Sequence, residues 1–199
     1  MRRALVLFCL LVGLNVADGF ADPDNPVLAQ VVERLVRADS LQGQFLQEKH
    51  LVFLQKPFIS SGEFRIDHST GLHWQVLEPL ASLMVVDGST VLLDGKPMVD
   101  RGVGQLMGLV MFSVMEGRLD ELTDYFVVTG EAASSQWQLS LIPESSRLKS
   151  VLQKIELRGD DYLREIEIFE RDENRTVIVL SEMRTLDADK ASLHASPSR

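Results

Sequence analysis

Four histidines, one cysteine and two closely spaced acidic pairs are the residues here whose types suit acid–base, nucleophilic or metal chemistry. The histidines are His50, His68, His73 and His194, of which only His68 and His73 are close enough to meet across a turn, whereas zinc sites gather three or four ligands. Asp160-Asp161 reads as a polar turn, and Glu165 and Glu167 alternate along the water-facing side of a strand, so neither pair is placed in a cleft. Cys9 lies inside an apolar run near the N-terminus. No nucleophile elbow, phosphate loop, dinucleotide fingerprint or zinc-spaced histidine pair occurs. Asn174-Arg175-Thr176 matches a glycosylation acceptor but follows what reads as a bacterial leader, which leaves the match idle. A hydrolase would need a clustered nucleophile and base, and the spacing supplies none. The spacing therefore singles out no catalytic residue and no metal site.

What the sequence does offer is apolar recognition. Met107, Met111 and Met115 fall at i, i+4 and i+8 in the run of residues 105–115, forming one methionine ridge if that run is helical. Unbranched, polarizable methionines adapt to apolar guests of variable shape. Gly104 and Gly108 beside the ridge permit movement or close approach. Phe45, Phe53, Phe58, Phe64, Trp74, Leu83, Val85 and Leu93 can all point to one concave face. Periodicity alone does not separate a pocket lining from a core packed against the first helix.

The elements that position these residues follow from the hydrophobic period. Asp24-Asn25-Pro26 is a cap followed by proline at the first helical position, and Val27, Leu28, Val31, Val32, Leu35 and Val36 recur at helical spacing, predicting a helix that ends near Asp39-Ser40. From Gln42 the period becomes two, and the strand runs into Leu51-Val52-Phe53-Leu54. Further strands are expected at residues 62–66, 72–76, 83–86, 91–93, 136–141, 152–157, 163–169 and 176–183, with hairpin signals at Asp87-Gly88 and Asp94-Gly95. Residues 105–115 are apolar nearly all round, with Gly117 as a stop, and residues 119–125 could add a short second helix. A helix apolar on all sides must be buried on more than one side, here across the open mouth of the sheet. The expected fold is mainly β with helices (α+β), an incomplete antiparallel barrel or strongly curved sheet covered by an N-terminal helix and a central helical lid.

Met1-Arg2-Arg3, the apolar stretch 4–14 and the small-residue segment ending at Ala21 have the order of a secretory signal peptide, expected to occupy residues 1–21 and to leave one domain, 22–199, without cysteine. With 20 basic against 29 acidic residues, the balance argues against nucleic acid or an anionic membrane as the main partner. Residues 187–199 lose the pattern and are expected to be loosely ordered.

The ordered pieces Leu41-Gln42-Gly43-Gln44-Phe45-Leu46-Gln47, Ser61-Gly62-Glu63-Phe64, Gly71-Leu72-His73-Trp74, Glu78-Pro79 and Val86-Asp87-Gly88-Ser89-Thr90-Val91, with the closing Leu186-Asp187-Ala188-Asp189-Lys190, resemble the LolA-like family of periplasmic outer-membrane lipoprotein carriers, in a diverged branch. The resemblance implies a monomeric, cofactor-free periplasmic carrier of acyl chains. Such a carrier receives an acylated lipoprotein or other lipid-like cargo from an ATP-driven inner-membrane releasing complex and passes it to an outer-membrane acceptor. It implies no enzymatic activity and a cavity that accepts acyl chains under helices; the residues expected to line that cavity and lid, from the alternation and the methionine spacing, are Phe45, Phe64, Trp74, Leu83, Val85, Leu93, Met107, Met111 and Met115. It also places His68 where the family has a lid-locking arginine, making His68 the lid-gating candidate. The competing expectation is a docking module of an envelope export machine, associated with glycolipids or aryl polyenes, whose core is filled and has no open pocket.

Overall fold

A computed structural model of the chain describes residues 26–88, 90–98 and 102–186. The expected leader at 1–21 and the loose tail at 187–199 lie outside the described residues. Helix α1 (Pro26–Arg34) opens on the predicted proline and buries Leu28 and Val31; it stops before Asp39, and residues 35–39 form an irregular link in which Val36 N–H donates to the Asp161 carbonyl at 2.9 Å. Then follow β1 (Ser40–His50), β2 (Phe58–Asp67), β3 (Gly71–Glu78), β4 (Ser82–Asp87), β5 (Thr90–Leu93) and the two-residue β6 (Lys96–Pro97). Helix α2 (Gly102–Glu116) and a 3-10 turn (Leu119–Asp124) cross over to β7 (Phe126–Ala132) and β8 (Trp137–Pro143). The short α3 (Ser146–Lys149) precedes β9 (Leu152–Gly159), β10 (Leu163–Glu170) and β11 (Arg175–Thr185).

The strands form one 11-stranded sheet in the order β6-β5-β4-β3-β2-β1-β11-β10-β9-β8-β7, with every neighbour antiparallel. The order makes β1 the hinge between two meandering arms. The outermost strands β6 and β7 are not hydrogen-bonded to each other, so the curved antiparallel meander stays unclosed, as the family resemblance implies. Leu72, Ile66, Leu139, Leu141, Leu157 and Val31 are inaccessible to solvent and mark the single core between the sheet and its helical cover. Each such side chain contributes roughly 1.5–3 kcal/mol of burial.

Several expectations are corrected by register and pairing. Residues 51–54 do not continue β1. The pairing of β1 with β2 ends at Lys49 and Phe58, and the loop closes instead on a Leu54 N–H bond to the Leu51 carbonyl of 2.8 Å, which leaves Phe53 79% exposed. Phe53 and Phe58 therefore do not belong to a concave lining. Leu83 and Val85 pair with Gln75 and His73, whereas Met84 and Val86 pair with Trp74 and Leu72, so Leu83 and Val85 lie on the opposite face from the core. Strands β6 and β7 were not expected: Phe126-Val127-Val128-Thr129-Gly130 has the right composition but follows a helical stretch that hides its period.

Candidate functional site

The site is built on the inner face where β1, β2 and β3 meet. Gly43 pairs with Phe64 and Phe45 pairs with Gly62, so two Gly-x-Phe segments run antiparallel and each ring crosses the glycine of the other strand. A Cβ on Gly62 would stand 1.9 Å from the Gln75 carbonyl oxygen and 2.9 Å from the Phe45 ring; one on Gly43 would stand 2.8 Å from the Phe64 ring. Only glycine allows this approach, and it lets three aromatics stack. The Phe45 and Trp74 ring centroids are 3.9 Å apart at an interplanar angle of 21°, and those of Phe64 and Trp74 are 5.9 Å apart at 22°. All three rings are buried. Leu93 shares this face by register, opposite Met84, but sits near the sheet edge and is 40% exposed.

Helix α2 lies over β3, β4 and β5, and the missing side chain at Gly108 lets its backbone settle on Val86, whose Cγ1 would be 2.7 Å from a Cβ at that position. Gly117 ends the helix with φ +66°, the left-handed stop that its position predicted. Met107, Met111 and Met115 are buried, and Met111, Val114 and Met115 meet Leu35, Leu41, Ile66, Leu163 and Met183 around a hollow of only about 20 Å³, room for roughly one water molecule. The outer side of the same helix is also apolar. Leu106, Leu109 and Phe112 are half-buried and, with Leu148, form the apolar part of an open groove of about 850 Å³ whose remaining walls carry His68, Asp87, Glu116, Arg118 and Arg147. One polar group is stranded beneath the cover: Ser113 is fully buried, and its hydroxyl has no hydrogen-bond partner among the described residues.

The end of the lid is tied by charge. Glu116, the last residue of α2, is nearly buried as a side chain, and its carboxylate oxygens meet His68 Nδ1 at 3.2 Å and the Arg118 guanidinium. A carboxylate in the last turn of a helix opposes the helix dipole, so these partners relieve a local electrostatic conflict as well as forming a link. The turn that presents His68 is held by side-chain hydrogen bonds. Asp67 accepts hydrogen bonds from Ser69 N–H at 2.8 Å and Ser69 Oγ at 2.6 Å, and these hold its carboxyl down at a pKa of about 2. His68 thus reaches the lid, and the structure does not bring it to His73, whose Nε2 lies 3.1 Å from the Thr70 carbonyl within its own turn.

The acidic pairs are structural. Glu165 and Glu167 both engage Arg158 from the neighbouring strand, and Glu167 also binds Arg175. Asp160 is bonded by Arg164 and by the Tyr162 N–H. Burial alone would raise the Asp160 pKa, but the Tyr162 hydrogen bond and Arg164 outweigh it and lower it. Among the described residues no group of His, Asp, Glu and Cys is disposed to hold a metal ion. Sequence reasoning missed Glu116, Arg118, Leu41, Ile66 and Met183. Of these, Glu116 had a signal: it is the one acid that ends the long apolar helix.

Comparison with known proteins adds the following. A family model described as outer membrane lipoprotein carrier protein LolA matches residues 37–193. No curated protein sequence matches the chain. Among solved structures, the chain is similar to a LolA superfamily protein from Nitrosomonas europaea, at 11% identity and a TM-score of 0.44, over 80% of this chain and 92% of that one. It is similar to the Pseudomonas aeruginosa MucA/MucB complex structure at 14% identity and a TM-score of 0.42, over 86% of this chain but only 59% of that one. A putative outer membrane lipoprotein-sorting protein domain from Vibrio parahaemolyticus gives 10% identity and a TM-score of 0.36, over 83% and 96% of the two chains.

Proposed function

Given that the chain belongs to the outer membrane lipoprotein carrier protein LolA family, we propose that it is a periplasmic, non-enzymatic carrier that shields the acyl chains of a lipoprotein or similar lipid between the inner and outer membranes. In this reading the acyl chain takes the place of the Met107, Met111 and Met115 ridge against Leu41, Ile66 and the Phe45–Trp74–Phe64 layer. Leu93 sits at the rim, while Leu83 and Val85, on the far face, take no part. The observation that carries the reading is the two-sided apolar character of α2: one side is packed on the sheet and the other lines an open groove of about 850 Å³. Lifting the helix uncovers buried apolar surface on both the helix and the sheet, so the movement is favourable only as an apolar cargo covers that surface. His68 and Glu116 form the bolt, and an inner-membrane releasing complex and an outer-membrane acceptor are the partners that open it.

Each acyl methylene removed from water contributes about 0.8 kcal/mol, so a carrier needs no directional contact with the chain. Native mass spectrometry of the gently purified protein tests the reading. Lipid-sized adducts are expected on the wild type and absent from Met111→Asp, in which the buried methionine becomes a carboxylate that cannot stay under the lid. The hollow of about 20 Å³ favours a second reading, a docking module with a filled core. A clean apo mass for the wild type, with a co-purifying protein partner, would select it.

A further inference from the structure

The outer face of the sheet, turned away from the lid, carries an open groove of about 480 Å³ where β11, β1, β2 and β3 lie side by side. Gln42 and Gln44 reach it from either side of Gly43 on β1. Each neighbouring strand contributes a Glu-x-Arg segment, Glu63-Phe64-Arg65 on β2 and Glu182-Met183-Arg184 on β11. Both neighbours run antiparallel to β1 and so in the same direction, which sets their two arginines towards one end of the groove and their two glutamates towards the other. Gln42 pairs with Arg184 on one side and with Arg65 on the other, and Arg65 pairs in turn with His73. Gln44 pairs with Glu63, and Glu63 with Gln75, while Glu182 lies in the adjoining bulge of β11. A level of cations thus lies beside a level of carboxylates, two residues or roughly 7 Å away along the strands.

These charges are not spent on one another. On the outer face of β9 and β10, Glu156, Arg158, Glu165 and Glu167 neutralise each other across strands. In the groove, by contrast, Glu63, Glu182 and Arg184 have no ion-pair partner among the described residues, and Arg65 reaches only Asp67, outside the groove, at 3.8 Å. His73 is turned to the Thr70 carbonyl. The backbone supplies a second, independent sign. The register of β1 against β11 shifts between Gln42 and Gln44, and Glu182 adopts φ +52°, a left-handed conformation that strains a glutamate. Bulges re-aim side chains, and this one puts Glu182 on the groove wall. The charged lining is therefore two carboxylates, two guanidiniums and one histidine, which matches a guest of both signs better than a simple anion or cation. Two extended peptide residues set a free amine and a free carboxylate roughly 7 Å apart, the spacing of the two levels. Their amide groups then lie between Gln42 and Gln44, which can both donate and accept. Leu83, on this face rather than in the core, adds an apolar wall.

We propose that this groove binds a short peptide with free termini, its carboxylate between Arg65 and Arg184 and its ammonium between Glu63 and Glu182. The site lies on the opposite face of the sheet from the lid, so the proposal does not depend on acyl carriage. It is tested by calorimetric titration of the protein with alanyl-alanine, its N-acetylated form, its C-terminal amide and free glycine. Saturable binding of alanyl-alanine is expected, weakened about tenfold by blocking either terminus. Glycine should bind weaker by a similar factor, because its charges are too close together to meet both levels. Arg184→Gln should abolish the preference for a free carboxylate and keep that for a free amine, and Glu63→Gln should do the reverse. Both side chains are on exposed residues, and unchanged melting of the variants checks the fold. Absence of saturable binding, equal affinity for free and blocked alanyl-alanine, or preferences that survive both substitutions overturns the proposal. So does self-association that both variants abolish and alanyl-alanine does not displace, which would assign the face to a second copy of the chain.

Discussion

The two arms that leave β1 bury their inner faces in different ways. In the β8–β11 arm, Leu139, Leu141, Leu157, Ile155, Ile166 and Ile178 are all buried to within 1% of complete. Its outer face is laced across strands by Lys154, Glu156, Arg158, Glu165, Glu167 and Arg175. In the β2–β5 arm the inner face is aromatic, its cover is a single helix bearing methionines, and the link that fastens the cover is the Glu116 carboxylate with its half-exposed partners His68 and Arg118. One arm is a frame fixed on both faces, whereas the other lies under a single helix fastened at its end by charge. The lesson is that the apolar content of a core does not by itself indicate permanence; the shape of the side chains and the way the cover is fastened do.

The contrast can be broken most forcefully in the frame. Leu157→Ala should cost about 4 kcal/mol, the upper part of the range for a fully buried leucine, and should lower the denaturant midpoint for the whole molecule. A loss under about 1 kcal/mol would mean that this arm is not the frame. Under the lid the sign reverses: Ser113→Ala removes a buried hydroxyl without a partner and should stabilise the closed form by about 1 kcal/mol. Hydrogen exchange should then slow in α2 and leave β8–β11 unchanged. Glu116→Gln should alter global stability by less than about 1 kcal/mol, because its partners are half exposed, yet speed exchange at the end of α2. If exchange there stays at the wild-type rate, the bolt holds nothing.

The smallest effect is a pH dependence. The Asp67 carboxyl in the folded protein is held at about 2 against an ordinary 3.8, so its contribution to the β2–β3 turn is complete above the ordinary value and is lost as pH falls through about 2. Wild type should therefore be more stable than Asp67→Asn at neutral pH, and the two should converge below pH 2. Persistence of the gap at that acidity would remove the turn's role in holding His68.

Much of this contrast is legible in the residues. The period-two runs place most of the strands, the apolar run ending at Gly117 places the lid, and the methionine spacing gives its inner side. The reciprocal crossing of Gly43-x-Phe45 and Gly62-x-Phe64 needs the register of β1 against β2, which a hairpin with a seven-residue loop does not encode locally. Leu83 and Val85 were misplaced for a related reason: Leu83-Met84-Val85-Val86 is apolar at every position, so nothing in it says which pair faces inward. Residues 51–54 look like strand by composition, and their exposure is a tertiary matter, fixed by Asn174 more than a hundred residues away.

The central claim, that α2 must leave the sheet for an acyl chain to bind, has a direct test in a reversible staple. A Cβ at position 108 would lie 3.4 Å from that of Val86, close to disulfide geometry, and the only cysteine of the sequence, Cys9, lies in the expected leader. Lipid retention by Val86→Cys/Gly108→Cys should be lost when the pair is oxidised and restored by reductant. Equal retention in both states, with the disulfide verified by mass, would show that the chain binds without opening the lid and would contradict the account.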